Sequence, residues 1–422
     1  MGQLRRKSVA QNAGFMLIGR GVSVVFQSLY FVILAKLLGS VEYGIYAGAF
    51  ALVSILSQYS TFGSSTMLLR YVSQDQRRFS LYWGRTLATT VLLGATFTGA
   101  VCWIGPHIAK TYSHGLLAAV AASDCLFGQL TIASGCVFQA HQKMHLTALL
   151  NGLSNMLRAT AAGLLLLNFG HATAGQWIWA VLGVAISNAT LSIALVSYQF
   201  GPPTFSLRAL VSGLAEGAVF AVSESTTNIY NDVDKTMLVH YGMLRGNGIY
   251  TMAYRAIDIA MIPVGAMQAA VFPRYFQEAE GGVKKVGLFA SRVLRRTAPV
   301  SAISALLLWF GAPLIPRLLG EGFSDSVAAI RILFLLPVFR TLQYSAGDAL
   351  TGSGHQPLRL TVQAIAAVFN FLVNLWMIPR FGWTGAAWSS IATDGMLAAS
   401  NWGSLHFVQS NGKRCETVPA AA

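Results

Sequence analysis

Apolar runs of about 20 residues recur along the whole chain and are separated by short polar breaks. A helix of that length, at about 1.5 Å per residue, crosses the hydrocarbon core of a bilayer, which is about 30 Å thick. Helices are the expected unit because lipid offers no hydrogen-bond partner to an unpaired backbone group. Twelve spans are predicted, at residues 12–35, 43–66, 83–105, 115–138, 146–168, 176–199, 212–238, 248–271, 294–315, 327–349, 360–379 and 384–407.

The distribution of basic residues indicates how these spans are oriented. An even number of spans places both termini on one side of the membrane. Eighteen Lys and Arg residues fall on that side, and five fall in the opposite loops. The positive-inside rule therefore predicts cytoplasmic termini. Arg5, Arg6 and Lys7 precede a first apolar run that is too long for a signal peptide and has no clear cleavage site, so this run is expected to be a retained helix.

Composition supports the membrane assignment and excludes other classes. The chain is 54% hydrophobic and 10% charged, which is far from a soluble average. The net charge of +14 is accounted for by topology, so no nucleic acid partner is predicted. The four cysteines form neither a disulfide framework nor a metal motif, and no phosphate-binding loop of the GxxxxGK[ST] type is present.

Two pairs of similar segments suggest an internal duplication. Gly44-Ile45-Tyr46 matches Gly248-Ile249-Tyr250, and FQAHQ before the fifth span resembles TGSGHQ before the eleventh. A duplicated unit of six helices keeps its orientation, so the two copies would be parallel repeats with the cargo site between them. We therefore predict bundles at residues 1–205 and 206–422; chance recurrence of Gly-aromatic turns is the alternative.

The seventh predicted span carries a polar face too broad to point at lipid. At 100° per residue, four polar residues fall within about 20° of one another, and they are Glu216, Ser223, Thr227 and Asp234. The residues Glu224, Asn228, Asn231 and Lys235 flank this face.

Other spans carry isolated ionisable groups. In the first span Arg20 shares a face with Gln27, and in the eighth Arg255 and Asp258 are spaced to pair. Arg158 in the fifth span and Arg340 in the tenth have a weaker case, as do the single acids Asp124, Asp348 and Asp394 and the amide stripe of Gln363, Asn370 and Asn374. For each of the weaker candidates, a structural interhelical hydrogen bond or ion pair is the alternative.

Two short patterns resemble enzyme or metal motifs and are discounted. Asp232-Val-Asp234 matches the DxD of metal-dependent sugar transferases, but no large external loop accompanies it. His141 and His145 are spaced i, i+4 without an evident third ligand. We predict neither catalysis nor a metal site.

Longer segments resemble a known family over nearly the whole chain. LAKLLGSVEYGIYAGAFALVSILSQYSTFGSSTMLLRYVS is similar to the opening of bacterial polysaccharide and O-antigen flippases. GIYTMAYRAIDIAMIPVGAMQAAVFPRYF and NFLVNLWMIPRFGWTGAAWSSIATDG resemble the second half of that family. Its superfamily also holds multidrug extruders and lipid II flippases.

The resemblance implies an all-α membrane fold of twelve helices, arranged as two parallel six-helix bundles in a V. It implies alternating access and a polyprenyl-diphosphate-linked oligosaccharide as cargo, moved from the cytoplasmic to the outer leaflet of the bacterial inner membrane. Membrane lipids, a polysaccharide polymerase and chain-length proteins are the expected partners.

Cavity cations and amides suit such a head group. Three roles stay open for the acids of the seventh span: pairing with Arg20 and Arg255, binding a coupling proton or sodium ion, or contact with sugar hydroxyls. The substrate candidates are Arg20, Gln27, Arg158, Arg255, Arg340, Asn228 and Asn231. The coupling-ion candidates are Glu216, Glu224, Asp234 and Asp258. No other cofactor is expected. A cation-coupled drug extruder of the same fold, favoured by the acids of the seventh span, and a membrane-embedded glycosyltransferase or polymerase remain alternatives.

Overall fold

A computed structural model of the protein describes residues 2–205 and 232–416, and within them the side chains of residues 25–205 and 232–410. Within this part of the chain six helices are long and apolar enough to cross a membrane, and eight spans result if each of two bent helix pairs counts as one. The predicted seventh span, apart from residues 232–238, lies outside the described residues. Contacts divide the chain into two compact units, Met1–Gly248 and Ile249–Ala422. The predicted bundle boundary at residue 205 stays a prediction.

Unit 1 is built from long helices joined by short turns. The helices are α1 (Gly2–Ser57), α2 (Ser64–Gln74), α3 (Phe79–Ile108), α4 (His114–Ala121), α5 (Gln129–Ala140), α6 (Met144–Phe169), α7 (Ala174–Phe200) and α8, the helical residues 232–240. A π-helical segment, Ala122–Gly128, joins α4 to α5. The predicted span at 115–138 is therefore continuous but locally widened.

The first two predicted spans form one helical stretch that is broken at Gly39. Gly39 has φ 65° and ψ 179°, which are not helical and which favour glycine. The break leaves the Leu37 carbonyl without its helical partner, and the Ala172 amide donates to it at 3.0 Å. The Glu42 carboxylate accepts from the amide of Ala174, the first residue of α7, at 2.6 Å. The prediction of a loop at residues 36–42 is therefore wrong, because the chain is helical on both sides of Gly39 and only that residue leaves the helical conformation.

Helix α9 (Leu244–Ala260) crosses the boundary: it begins in unit 1 and ends in unit 2. The other helices are α10 (Ile262–Ala279), α11 (Val283–Gly311), α12 (Leu314–Leu319), α13 (Ser326–Leu333), α14 (Leu336–Gly352), α15 (Gln356–Phe381) and α16 (Trp383–Glu416). The core around the α11 and α14 contact contains Tyr275, Val286, Ala290, Ala346 and Leu350.

Two predicted spans of unit 2 are bent. The span predicted at 248–271 consists of α9 and α10, which meet at 50°, and the span predicted at 327–349 contains a bend of 44° before α14. Pro263 and Pro337 lie in the first turns of α10 and α14. Proline has no N–H to donate to the preceding turn, so it is tolerated where a helix begins and interrupts one that would continue.

Candidate functional site

Four charged side chains of unit 2 form a continuous chain of alternating sign. Arg340 Nε lies 3.4 Å from Asp394 Oδ2, and Arg340 Nη1 lies 3.5 Å from Asp258 Oδ1. The other oxygen of Asp258 lies 3.4 Å from Arg255 Nη1. Three elements, α9, α14 and α16, thus contribute to one charged group, which we call the unit 2 charge chain.

Two residues of this charge chain lie next to the bends in the bent spans. Asp258 lies in the last turn of α9, immediately before the 50° bend, and Arg340 lies in the second turn of α14, immediately after the 44° bend. Discontinuous helices are common where transporters build binding sites at membrane depth, because irregular backbone is tolerated there when it lines a cavity.

Burial changes along the charge chain. The side chains of Asp394 and Arg340 are 5% and 11% exposed, whereas those of Arg255 and Asp258 are 30% and 47% exposed. The Arg340 guanidinium also lies over the Tyr254 ring, 5.5 Å from its centroid. Asp394 Oδ1 has no hydrogen-bond partner among the described residues. One end of the charge chain is therefore dry and the other accessible.

Unit 1 holds a second polar group at the start of α8. The Ser54 hydroxyl donates to Asp232 Oδ2 at 2.7 Å, and Lys235 Nζ lies 2.6 Å from Asp232 Oδ1. Asp234 is buried and accepts the Lys235 backbone N–H at 2.7 Å. Asp232 is thus held by a lysine and a hydroxyl, which is not the arrangement of a metal-binding DxD. In the described part of the chain no cluster of three metal-ligating side chains occurs.

The π-helical segment brings Asp124 to a narrow cleft in unit 1. The cleft has a volume of about 10 Å³ and is lined by Tyr46, Phe50, Asp124 and Arg158 among others. That is room for about one water molecule. Asp124 lies near the Ser57 hydroxyl and within electrostatic range of the Arg158 and Asp232 side chains. Within the described residues Arg158 forms no ion pair.

Two residues of the amide stripe in the predicted eleventh span, Asn370 and Asn374, form hydrogen bonds inside the protein. Asn374 Nδ2 donates to Asn370 Oδ1 at 3.0 Å, and Asn370 Nδ2 donates to Thr393 Oγ1 at 3.0 Å. Asn370 and Asn374 are buried between α15 and α16. Their donors are satisfied inside the protein, which agrees with the interhelical alternative.

The predicted site residues separate into three groups. Arg255, Asp258 and Arg340 come together in the unit 2 charge chain. Arg158 and Asp234 belong to unit 1, and Gln27 is exposed there. The Arg20 side chain and the residues Glu216, Glu224, Asn228 and Asn231 lie outside what the structure describes.

Sequence reasoning underrated two acids. The sequence shows Asp394 and Asp124 only as single acids, whereas in the structure Asp394 pairs with Arg340, and Asp124 lies in the π-helical segment and lines a cleft with Arg158. The available sequence signal was the free-energy cost of burying a carboxylate at membrane depth, which marks such a residue as a candidate functional residue. The pairing with Arg340 could not be read from the sequence because 54 residues separate the partners.

Comparison with known proteins identifies a family and a fold. A family of polysaccharide biosynthesis proteins matches residues 9–278. An uncharacterised membrane protein of Methanocaldococcus jannaschii is 23% identical over 196 residues. That match covers 44% of this chain and 38% of the length of the archaeal relative.

Solved structures share the fold at low sequence identity. A multidrug resistance MATE family transporter of the MOP superfamily, in an inward-facing conformation, matches with a TM-score of 0.75 at 14% identity, over 96% of this chain and 100% of that one. The lipid II flippase MurJ matches with a TM-score of 0.70 at 14% identity, over 93% and 87%. The predicted all-α membrane fold is confirmed, and the likeness is to transporters and not to enzymes.

Proposed function

The chain belongs to the polysaccharide biosynthesis protein family, and from this premise we propose that it is a flippase for polyprenyl-diphosphate-linked oligosaccharide. It moves this cargo from the cytoplasmic to the outer leaflet of the bacterial inner membrane by alternating access. Both termini lie in the cytoplasm, and a polymerase and chain-length proteins use the exported product. Transport as such is what the family and fold relatives support; cargo, direction and membrane are our proposal.

The unit 2 charge chain carries the proposal. Arg255 and Asp258 are 30% and 47% exposed on a span of the membrane fold. Exposed charges at bilayer depth are too costly to face lipid, so they require an aqueous chamber. A lipid-linked sugar needs such a chamber for its polar head while its tail stays in the bilayer.

Arg255 is the head-group candidate on this chain, and Arg340 holds its orientation. The Arg255 contact to Asp258 is long, at 3.4 Å, so a diphosphate oxygen can replace the carboxylate with a charge-assisted hydrogen bond. Arg340 is held by two carboxylates and a ring, which makes it a positioning residue. Arg158, beside the narrow cleft of unit 1, would meet the head group after that cleft opens.

Complementation of a strain lacking the flippase tests the head-group site. We expect Arg20→Ala and Arg255→Ala together to abolish export of surface polysaccharide, and Arg255→Lys to retain more activity than Arg255→Ala. Arg317→Ala, which removes an exposed arginine outside the charge chain, is the matched control. Undiminished export by the double variant would contradict the assignment.

A cation-coupled drug extruder is the second candidate, favoured by one observation. Asp394 is buried with one carboxylate oxygen unpaired among the described residues, which suits a proton or sodium ion. Drug resistance conferred by this chain on a sensitised host, without complementation of polysaccharide export, would support this candidate. Coupling of the flippase to an ion would instead appear as export that depends on Asp394 and on a proton or sodium gradient.

A further inference from the structure

A basic cavity lies in unit 1, and none of its lining residues belongs to the charged groups described above. Its volume is about 470 Å³, and it is bounded by the N-terminus of α3, the turn after α5 and the end of α7. This is within the range of small-ligand sites, which is about 300–1,000 Å³. The basic residues Arg77 and Lys143 place it on the side of the membrane predicted to be cytoplasmic.

The cavity contains two cations, Arg77 and Lys143, that pair with no carboxylate in the described part of the chain. Arg77, His141 and Lys143 line it, and no Asp or Glu is among its lining residues. The nearby Asp75 is engaged elsewhere, because its carboxylate pairs with Arg78 at 3.3 Å and accepts the Arg77 backbone N–H at 3.1 Å. The cavity therefore carries an uncompensated positive charge, which the start of a 30-residue helix increases.

Lys143 is held in place by neutral groups. Its Nζ donates to Gln199 Oε1 at 2.7 Å and lies 4.6 Å from the centroid of the Phe200 ring. The His141 ring stacks on the same ring at 4.0 Å, and its Nδ1 donates to the Val137 carbonyl at 2.9 Å. The ammonium has two neutral contacts and no carboxylate partner among the described residues, so an anion in the cavity would meet a positioned cation.

Exposed apolar side chains adjoin the cavity in sequence. Leu81 follows the lining residue Ser80 and is 41% exposed, and Tyr198 precedes Gln199 and is 90% exposed. Phe205 is 70% exposed at the end of the segment that follows α7. A polar cationic cavity beside exposed apolar side chains on membrane-spanning helices matches an amphiphile with an anionic head.

We propose that this cavity binds the phosphate of an anionic phospholipid from the adjoining leaflet. Arg77 and Lys143 contact the phosphate oxygens, while Ser80 and Gln199 can bond the hydroxyls of the head group. The site shares no residue with the proposed head-group site, so it adds a lipid requirement to the transporter and does not alter which cargo it moves.

Native mass spectrometry of the full chain in detergent tests this assignment, with phosphatidylglycerol and phosphatidylcholine as probes. Each cation near a membrane surface contributes about fivefold to anionic lipid binding. We expect Arg77→Gln with Lys143→Gln to weaken binding of the first phosphatidylglycerol about tenfold or more. Arg295→Gln with Arg296→Gln, which removes the same charge from exposed positions of α11, should change it less than about twofold.

A second variant separates the cavity from general surface charge. Ser80→Phe fills the cavity and keeps every cation, so it should also weaken phosphatidylglycerol binding. Three results would overturn the proposal: equal losses in the two double variants, equally tight wild-type binding of phosphatidylcholine, or displacement of phosphatidylglycerol by millimolar inorganic phosphate, which would mark a site for a soluble anion.

Discussion

Gly44 of α1 and Gly248 of α9 pack backbone against backbone in unit 1. A Cβ on Gly44 would lie 2.8 Å from the Gly248 nitrogen and would overlap the Leu244 carbonyl. A Cβ on Gly248 would lie 3.1 Å from the Gly44 nitrogen and would overlap the Ser40 carbonyl. The Asn247 side chain donates to the Gly44 carbonyl at 2.8 Å and completes the contact. Small residues permit such close approach in membrane proteins, where packing and hydrogen bonds associate helices.

Gly248→Ala should therefore destabilise the protein by about 1–3 kcal/mol, since a rigid backbone must move to admit the methyl group. Thermal unfolding in detergent measures the change. Gly183→Ala is the matched control, because it lies within α7 with no atom near its Cβ position and should be neutral or stabilising. Equal midpoints for the two variants would show that the contact does not constrain the fold.

Removal of Arg340 should be costly because it leaves Asp394 as a buried carboxylate without its cation. We expect Arg340→Gln to lower the free energy of unfolding by about 3 kcal/mol or more. Adding Asp394→Asn should restore part of the loss, since the double variant has no uncompensated charge. Arg78→Gln, at an exposed pair with Asp75, should cost less than about 1 kcal/mol. Losses that simply add would show that the two residues do not interact.

Tyr112 should make the protein sensitive to alkaline pH. It lies between α3 and α4, outside the spans, and its hydroxyl donates to the Ile45 carbonyl at 2.9 Å. Burial raises the pKa of Tyr112 above its ordinary value. The unfolded chain loses this proton near pH 10 while the folded chain keeps it, so the free energy of unfolding falls as pH rises above about 10.

Tyr112→Phe should make that alkaline fall in stability shallower and cost about 1 kcal/mol at neutral pH through the lost hydrogen bond. Unfolding midpoints measured from about pH 8 to about pH 11 distinguish the two effects. Tyr198→Phe, at a side chain that is 90% exposed, should leave the wild-type profile unchanged. A Tyr112→Phe profile that still falls like the wild type would assign the step to another group.

Gln142 should be replaceable by glycine with a gain in stability. It has φ 59°, in the left-handed region, which costs a side chain about 1–2 kcal/mol. Gln142→Gly should raise the free energy of unfolding by about 0.5–1 kcal/mol after the entropy cost of glycine. The converse change, Gly354→Gln at φ 82°, should lower it by a similar amount. Changes of the same sign in both variants would contradict this explanation.

The same turn follows α5 and α14. In the first, the Lys143 amide donates to the Phe138 carbonyl at 2.8 Å; in the second, the His355 amide donates to the Leu350 carbonyl at 2.8 Å. These turns contain the FQAHQ and TGSGHQ segments that the sequence pairs. Each is a Schellman-type helix end, and its left-handed residue is Gln142 in one and Gly354 in the other. The duplication stays a prediction, because the same turn also follows α8, where the Met243 amide donates to the Leu238 carbonyl at 2.8 Å and Gly242 has φ 72°.

Several features were predictable because their causes are local. The pairing of Arg255 with Asp258 follows from i, i+3 spacing and is confirmed at 3.4 Å. The sequence also contains a signal for the bends before Pro263 and Pro337, because proline has no N–H to donate to the preceding turn. The prediction of continuous spans at 248–271 and 327–349 does not use that signal. The break at Gly39 was placed correctly but predicted as a loop, because hydropathy cannot show that one residue with positive φ suffices.

The sequence by itself determined that the protein folds in a lipid bilayer, that it is helical and where most spans lie. Each of these depends on the length of the apolar runs and on backbone hydrogen bonds within one segment. Only the tertiary structure decided which charges meet. Asp394 reaches Arg340, and Arg340 reaches Asp258, because two bent spans and a third helix converge. Such pairs depend on helix packing and bend angle, which sequence spacing does not encode for residues far apart in the chain.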